Sequence, residues 1–297
     1  MPTGTDRLNA LTRLRREQER TVAFVGTQDE RLGRKMMGCA TWLHFREWLD
    51  HGGETRLMHV NFCKRFTLCR ICAARRSVKL VEAYEPKVAT VLQAEPALIP
   101  VMVTLTVASG FDLAERLTHF KSSRSAMIAA KRKAASNPEK NSPIEWNKVA
   151  GSLCSIEATF NLEQGWHVHG HFFALLSGYI DKFQLSEEWH RFTGDSSITD
   201  VRKCYGEPRA ALHEVCKYAC KFSDLDDPKL WEFHQGVNGG RMFDPAGNLR
   251  GVLTGELDQD SLEGLSGPYR DWVATWLWLE KKYHLQAGPP PTMLPYV

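Results

Sequence analysis

The sequence predicts an α+β fold, a central antiparallel sheet flanked by helices with a cysteine-bearing N-terminal portion. Three observations carry this expectation. Residues 151–160 and 166–176 read as two strands joined by a short polar turn at 161–165, the pattern of an antiparallel hairpin. Residues 99–107 alternate Val101, Val103, Leu105 and Val107 against Met102, Thr104 and Thr106, a third strand. Residues 73–93 and 111–136 fit helices, the second long and amphipathic and ended by Asn137-Pro138.

Length and composition frame what the chain can be. Its 297 residues are enough for one or two domains, and 43% apolar with 25% charged residues is ordinary for a globular protein. The net charge of +3 does not by itself imply nucleic acid, but the distribution is uneven. Residues 56–80 hold seven Lys or Arg and no acid, and residues 121–133 hold five more with none. No apolar run approaches the roughly 18–20 residues of a membrane span, and the N-terminus lacks an apolar signal core. A cytoplasmic, reducing location is expected, so the eight cysteines read as free thiols or metal ligands before disulfides.

In chain order, residues 6–21 read as a charged helix whose Arg13, Arg15 and Arg16 lie on a solvated face or touch phosphate. Cys39, Cys63, Cys69 and Cys72 follow, with Cys69 and Cys72 in a Cys-x2-Cys knuckle that lets two thiolates reach one ion from a tight turn. Structural zinc takes four tetrahedral ligands; the fourth is Cys39 or His59, and Cys39 is preferred because thiolates dominate closed sites. Arg70, Arg75 and Arg76 would then be presented to a DNA backbone from a rigid module. In the helix at 111–136, Lys121, Arg124, Lys131 and Arg132 form a basic face that could track phosphates.

The strand at 166–176, Trp-His-Val-His-Gly-His-Phe-Phe-Ala-Leu-Leu, is the candidate site. Alternation puts His167, His169 and His171 on one side and Val168, Gly170 and Phe172 on the other. Three imidazoles on one face of a buried strand are costly unless a divalent metal or a phosphoryl group engages them. On the partner strand Glu157 and Thr159 share a face, so Glu157 can look across the hairpin as a third metal ligand; His167 competes for that role. Residues 181–193 read as a helix with Trp189, and 197–204 as another strand. A helix over 208–225 carries Glu214, Tyr218 and Lys221 at spacings of four and three, on one face. A phenol of pKa near 10 is a poor nucleophile at neutral pH, but a neighbouring carboxylate, an ammonium and a metal-bound phosphate would activate it. Farther on, residues 230–233 read as helical, 239–251 as loop or hairpin, and 268–286 as an amphipathic helix with Trp272, Trp276 and Tyr283 at near-helical spacing. The expected division is 1–95, an N-terminal helical and zinc-binding portion; 96–226, a catalytic core; and 227–297, a C-terminal helical extension.

These motifs in this order resemble the HUH endonuclease superfamily. The His-hydrophobic-His strand, the Tyr-x2-Lys helix and the upstream Val103-Thr104-Leu105-Thr106 strand all have counterparts there. Together with Cys39, Phe62-Cys63, Cys69, Cys72 and Arg75-Arg76 they resemble the single-tyrosine replication initiators of small rolling-circle plasmids, over roughly residues 35–226. Val168 stands where that family often has Pro, and Gly170 where it has a bulkier residue. The resemblance implies His169 and His171 as ligands of a catalytic Mn2+ or Mg2+, completed by Glu157 or His167. It implies Tyr218 as the nicking nucleophile, Lys221 as a neutraliser of phosphate charge, and Glu214 as the base for the terminating cleavage. A 5'-phosphotyrosine on single-stranded or cruciform origin DNA follows, with a host helicase and single-strand-binding protein as partners and no membrane. Alternatives are an HUH-type transposase or relaxase, a histidine-triad nucleotide hydrolase with His169 as nucleophile, and a non-catalytic zinc-containing DNA-binding regulator.

Overall fold

The computed structural model describes residues 4–204, 208–218, 225–237 and 239–288. The elements run α1 (Gly4–Glu17), α2 (Glu19–Gln28), α3 (Glu30–Met37), β1 (Trp42–Trp48), β2 (Glu54–Val60), α4 (Arg70–Ala94), β3 (Ile99–Thr106), α5 (Leu113–Ser136), β4 (Val149–Asn161) and β5 (Gly165–Leu176). They continue as α6 (Lys182–Thr193), β6 (Thr199–Lys203), α7 (Pro208–Tyr218), α8 (Asp227–Val237), β7 (Phe243–Gly247), β8 (Tyr269–Leu277) and β9 (Lys282–Ala287). The chain divides into two compact units, residues 1–79 with 254–297, and residues 80–253.

The unit of residues 80–253 is built on an antiparallel five-stranded sheet in the order β6-β3-β5-β4-β7, so the histidine strand β5 is central, as expected. The β4–β5 hairpin pairs from Asn161↔Gly165 inward. Asn161 Oδ1 accepts the Glu163 N–H at 2.8 Å, and Gly165 takes φ +82°, a left-handed value that favours glycine. The even-numbered residues of β5 face α5 and α6. There Trp146 packs edge-on to Phe172 at 5.2 Å and Phe120 packs on Trp189 at 5.9 Å. The odd-numbered residues face the other way. Phe173 and Leu175 join Leu153 in a core with Leu80, Val81, Tyr84 and Val88 of α4 and with Ala211, Leu212, Val215 and Cys216 of α7. The helices start where the sequence offers caps: Asp112 accepts the Glu115 N–H at 3.0 Å, and Asp181 accepts those of Phe183 at 2.8 Å and Gln184 at 3.2 Å. The end of this sheet past β4 is closed by β7, which falls within the 239–251 segment.

The unit of residues 1–79 and 254–297 holds a second antiparallel sheet, in the order β2-β1-β8-β9, which the sequence alone did not predict. It corrects the expected amphipathic helix at 268–286, which is instead the β8–β9 hairpin. Trp272 and Trp276 are four apart, a spacing that fits one helix face but also one strand face through Ala274. The intervening Val273 and Thr275 are β-branched and prefer the strand. Pairing with β1 from Trp42↔Thr275 to Trp48↔Tyr269 settles it. Leu43, Phe45, Leu57, Ala274 and Trp276 are buried in this unit.

Candidate active site

Across the hairpin, Glu157 is the direct neighbour of His169, Ser155 of His171 and Thr159 of His167, all on one face. The Glu157 Oε2 atom lies 2.8 Å from His169 Nε2 and 3.0 Å from His171 Nε2. These three side chains form a group with one donor atom each within 4.8 Å of the others. Ligands at about 2.1 Å on adjacent octahedral positions would be about 3.0 Å apart, so the donors fit a divalent cation. His171 Nδ1 reaches Thr104 Oγ1 on β3 at 3.3 Å, while His169 Nδ1 is buried with no hydrogen-bond partner among the described residues. His167 stands beside the group, its ring 5.1 Å from that of His169. Burial and the neighbouring His169 hold it below the ordinary histidine value, against an opposing pull from Glu157.

The same sheet face carries α7. Ser155 Oγ donates to the Val215 carbonyl at 2.6 Å, which ties the helix to the strand position opposite His171. Pro208 opens this helix without a lost hydrogen bond, since the first N–H of a helix has no partner inside it. Glu214 is partly exposed and 3.6 Å from Lys217 Nζ. Tyr218 is the last residue of α7, and Lys221 lies outside the described residues.

Cys39, Cys63, Cys69 and Cys72 form a second group, all buried. Their sulfurs stand 3.5 Å (Cys39–Cys72) and 3.6 Å (Cys63–Cys72 and Cys39–Cys69) apart. A tetrahedron of thiolates at about 2.3 Å from zinc has edges of about 3.8 Å, so the four could hold a zinc ion with little movement. Hydrogen bonds from Cys39, Cys69 and Cys72 push the Cys63 thiol far down, and Cys39 is held up by its contacts with the other three. A cation bound by the four would displace their thiol protons. His59, the rival fourth ligand, is in β2, stacked on His44 at 5.8 Å. The cysteine group has a shell that sequence reasoning missed. Arg15, read there as surface, is buried; it donates to the carbonyls of Cys39 and Met37 and lies 4.9 Å from the Trp276 ring centre. Gln18 accepts from Cys69 Sγ at 3.3 Å, and Tyr283 Oη donates to the Ala40 carbonyl at 2.6 Å. Cys154 lies outside this group, and burial pushes its thiol up to about 11.

The basic candidates divide. Arg75 is tied to Asp260 at 2.6 Å and to the carbonyls of Leu257 and Gln259, Arg124 to Asp244, and Lys131 to the Val149 carbonyl. Arg132 is exposed, and Arg70, Arg76 and Lys121 are partly exposed, with Arg76 over the Phe66 ring at 4.6 Å. No helix among the described residues is long and apolar enough to cross a membrane.

No curated protein and no solved structure matches the chain. A family model, Rep_1, described as replication protein, matches residues 54–266, a stretch that takes in three of the four clustered cysteines, the histidine strand and α7. With well over half its length matched, the chain belongs to the Rep_1 replication protein family.

Proposed function

We propose that the protein initiates rolling-circle replication of a small plasmid by nicking and rejoining single-stranded origin DNA. The observation that carries the reading is the convergence of Glu157, His169 and His171 on the sheet face over which α7 packs, in a chain of the replication protein family. Ser155 supports the link between the two parts: it is paired with His171, and its hydroxyl holds the carbonyl of Val215, three residues before Tyr218.

In this reading His169, His171 and Glu157 hold Mn2+ or Mg2+, which when bound supplies Lewis-acid polarisation of the scissile phosphate. Mixed imidazole and carboxylate ligation suits Mn2+ at least as well as Mg2+. His167 stands by as the alternative third ligand. Tyr218 is the nucleophile. Its phenol gives up a proton to solvent as the oxygen attacks phosphorus, the bond from phosphorus to the 3' oxygen breaks, and that oxygen takes up a proton from solvent. The products are a 5'-phosphotyrosine and a 3'-hydroxyl that primes synthesis. Lys221 offsets the charge that develops on the phosphate. Glu214, one helical turn before Tyr218, takes the proton of the water that ends the round. Zinc on Cys39, Cys63, Cys69 and Cys72 would rigidify the N-terminal unit, and Arg70, Arg76, Lys121 and Arg132 are the side chains to contact the DNA backbone. A host helicase and a single-strand-binding protein would unwind and coat the displaced strand in the cytoplasm.

The test is incubation with labelled single-stranded origin-like oligonucleotides and Mn2+, beside Tyr218→Phe and His169→Ala, read as a DNA–protein adduct on a denaturing gel. A 5'-linked adduct that both substitutions abolish is the expected result. Nucleotide hydrolysis that survives Tyr218→Phe, with no adduct, would replace this reading by a histidine-triad hydrolase. Tight DNA binding with neither activity would leave a DNA-binding regulator.

A further inference from the structure

The two candidate metal-binding imidazoles are held differently, and the difference lies in β3. Thr104 faces the site: its neighbours Val103 and Leu105 point into the core at 0% exposure, and it pairs directly with His171. Its Oγ1 lies 3.3 Å from His171 Nδ1, while Glu157 Oε2 lies 3.0 Å from Nε2 of the same ring. The His171 imidazole is therefore gripped from both adjacent strands. Thr106 is the equivalent neighbour of His169, yet its hydroxyl is directed to Ser196 Oγ at 3.2 Å and to the Ile198 carbonyl at 3.4 Å. His169 Nδ1 is left buried with no partner among the described residues.

We propose that Thr104 is the positioning residue of the metal site, accepting the Nδ1–H of His171 when a cation is bound, so that Nε2 offers its lone pair to the ion it shares with Glu157. The inference rests on the reading of Glu157, His169 and His171 as a divalent-cation site. An imidazole binds a cation through Nε2 when its ring proton sits on Nδ1, and an acceptor at Nδ1 fixes both that tautomer and the ring plane. Loss of such an outer partner commonly weakens metal binding by about 10- to 100-fold. His171 is thus the pre-set ligand, and His169 completes the site by adjusting to the cation. The threonine of the Val103-Thr104-Leu105-Thr106 strand gains a chemical role that a purely structural strand would not need.

The experiment uses the full-length protein without DNA. Mn2+ affinity is read from the paramagnetic resonance signal of free Mn2+ for wild type, Thr104→Val and Thr104→Ser, with His169→Ala as the control that removes a ligand. Valine keeps the shape and strand preference of threonine but offers no acceptor; serine keeps the acceptor. Thr104→Val is expected to weaken Mn2+ binding by about 10-fold or more, and Thr104→Ser to stay within about threefold of wild type, at unchanged thermal midpoints. Wild-type affinity in Thr104→Val, or equal loss in both variants, overturns the role of Thr104 while leaving the metal site standing. Failure of wild type to bind Mn2+ more tightly than His169→Ala removes the metal site itself and this inference with it.

Discussion

Arg75 stands among the basic residues that the sequence offers to DNA, and the structure gives it a different neighbour to answer to. The Asp260 side chain is only 8% exposed, 2.6 Å from Arg75, 2.9 Å from Arg7 and 3.7 Å from Lys79, and it accepts the Leu57 N–H at 2.8 Å. Burial alone would raise its pKa, but Arg75, then Arg7 and the Leu57 N–H, bring it from 3.8 down to about 2. At about 1.4 kcal/mol per tenfold change in proton affinity, the folded state gains about 2–3 kcal/mol at neutral pH. The folded pKa lies below the unfolded one, so this contribution is fully present above about pH 4 and is lost as pH falls through 2. Asp260→Asn keeps the size and the acceptor for Leu57 but takes the carboxylate away from Arg75 and Lys79, whose side chains are 9% and 7% exposed. The expected destabilisation at pH 7 is about 2–3 kcal/mol, at or just below the low end of the about 3–5 kcal/mol seen when one partner of a buried pair is removed, because Arg7 keeps access to water. Urea unfolding of both proteins at a series of pH values measures it. Comparing the two at each pH cancels what they share, including protonation of the cysteine ligands. A difference under about 0.5 kcal/mol at pH 7, or one that does not shrink between about pH 4 and 2, would refute the assignment of Arg75 to the fold.

Two further predictions address the cysteine group and the back of the histidine strand. Wild type should retain about one zinc per chain after dialysis, measured by mass spectrometry, and Cys72→Ser should retain almost none; equal retention would remove Cys72 from the ligand set. A Cβ at position 170 would come within 2.4 Å of Phe120 Cζ, in a ring that is fully buried. Gly170→Ala should therefore cost about 1–3 kcal/mol in thermal or urea unfolding, and Phe120→Leu in the same chain should recover part of it. A Gly170→Ala protein as stable as wild type would mean that α5 does not press on β5 as closely as the contact implies.

How much of this was legible in the sequence follows from the range over which each signal acts. The histidine row was visible because a period of two reports a strand face directly, and Glu157 because a three-residue loop fixes the register of β4 on β5. The Cys69-x2-Cys72 knuckle is local, and Cys39 could be preferred on ligand chemistry alone. The second sheet was not legible, since β1 pairs with β8 more than 200 residues away and no local pattern announces that partner. Gly170 differs from the expected bulky residue for a reason written in α5: Phe120 occupies the space a side chain would need. The basic stretches misled in the same way. Residues 56–80 contain no acid, yet Arg75 and Lys79 meet Asp260, and Arg124, in the second acid-free run, meets Asp244. Charge runs are local and their neutralisation is tertiary, so a run marks where phosphate could bind only after its buried counter-ions have been subtracted. By that subtraction Arg132 is a better candidate for the DNA backbone than Arg75 or Arg124, because it stays exposed on α5 while Arg124, two turns earlier, turns inward to Asp244.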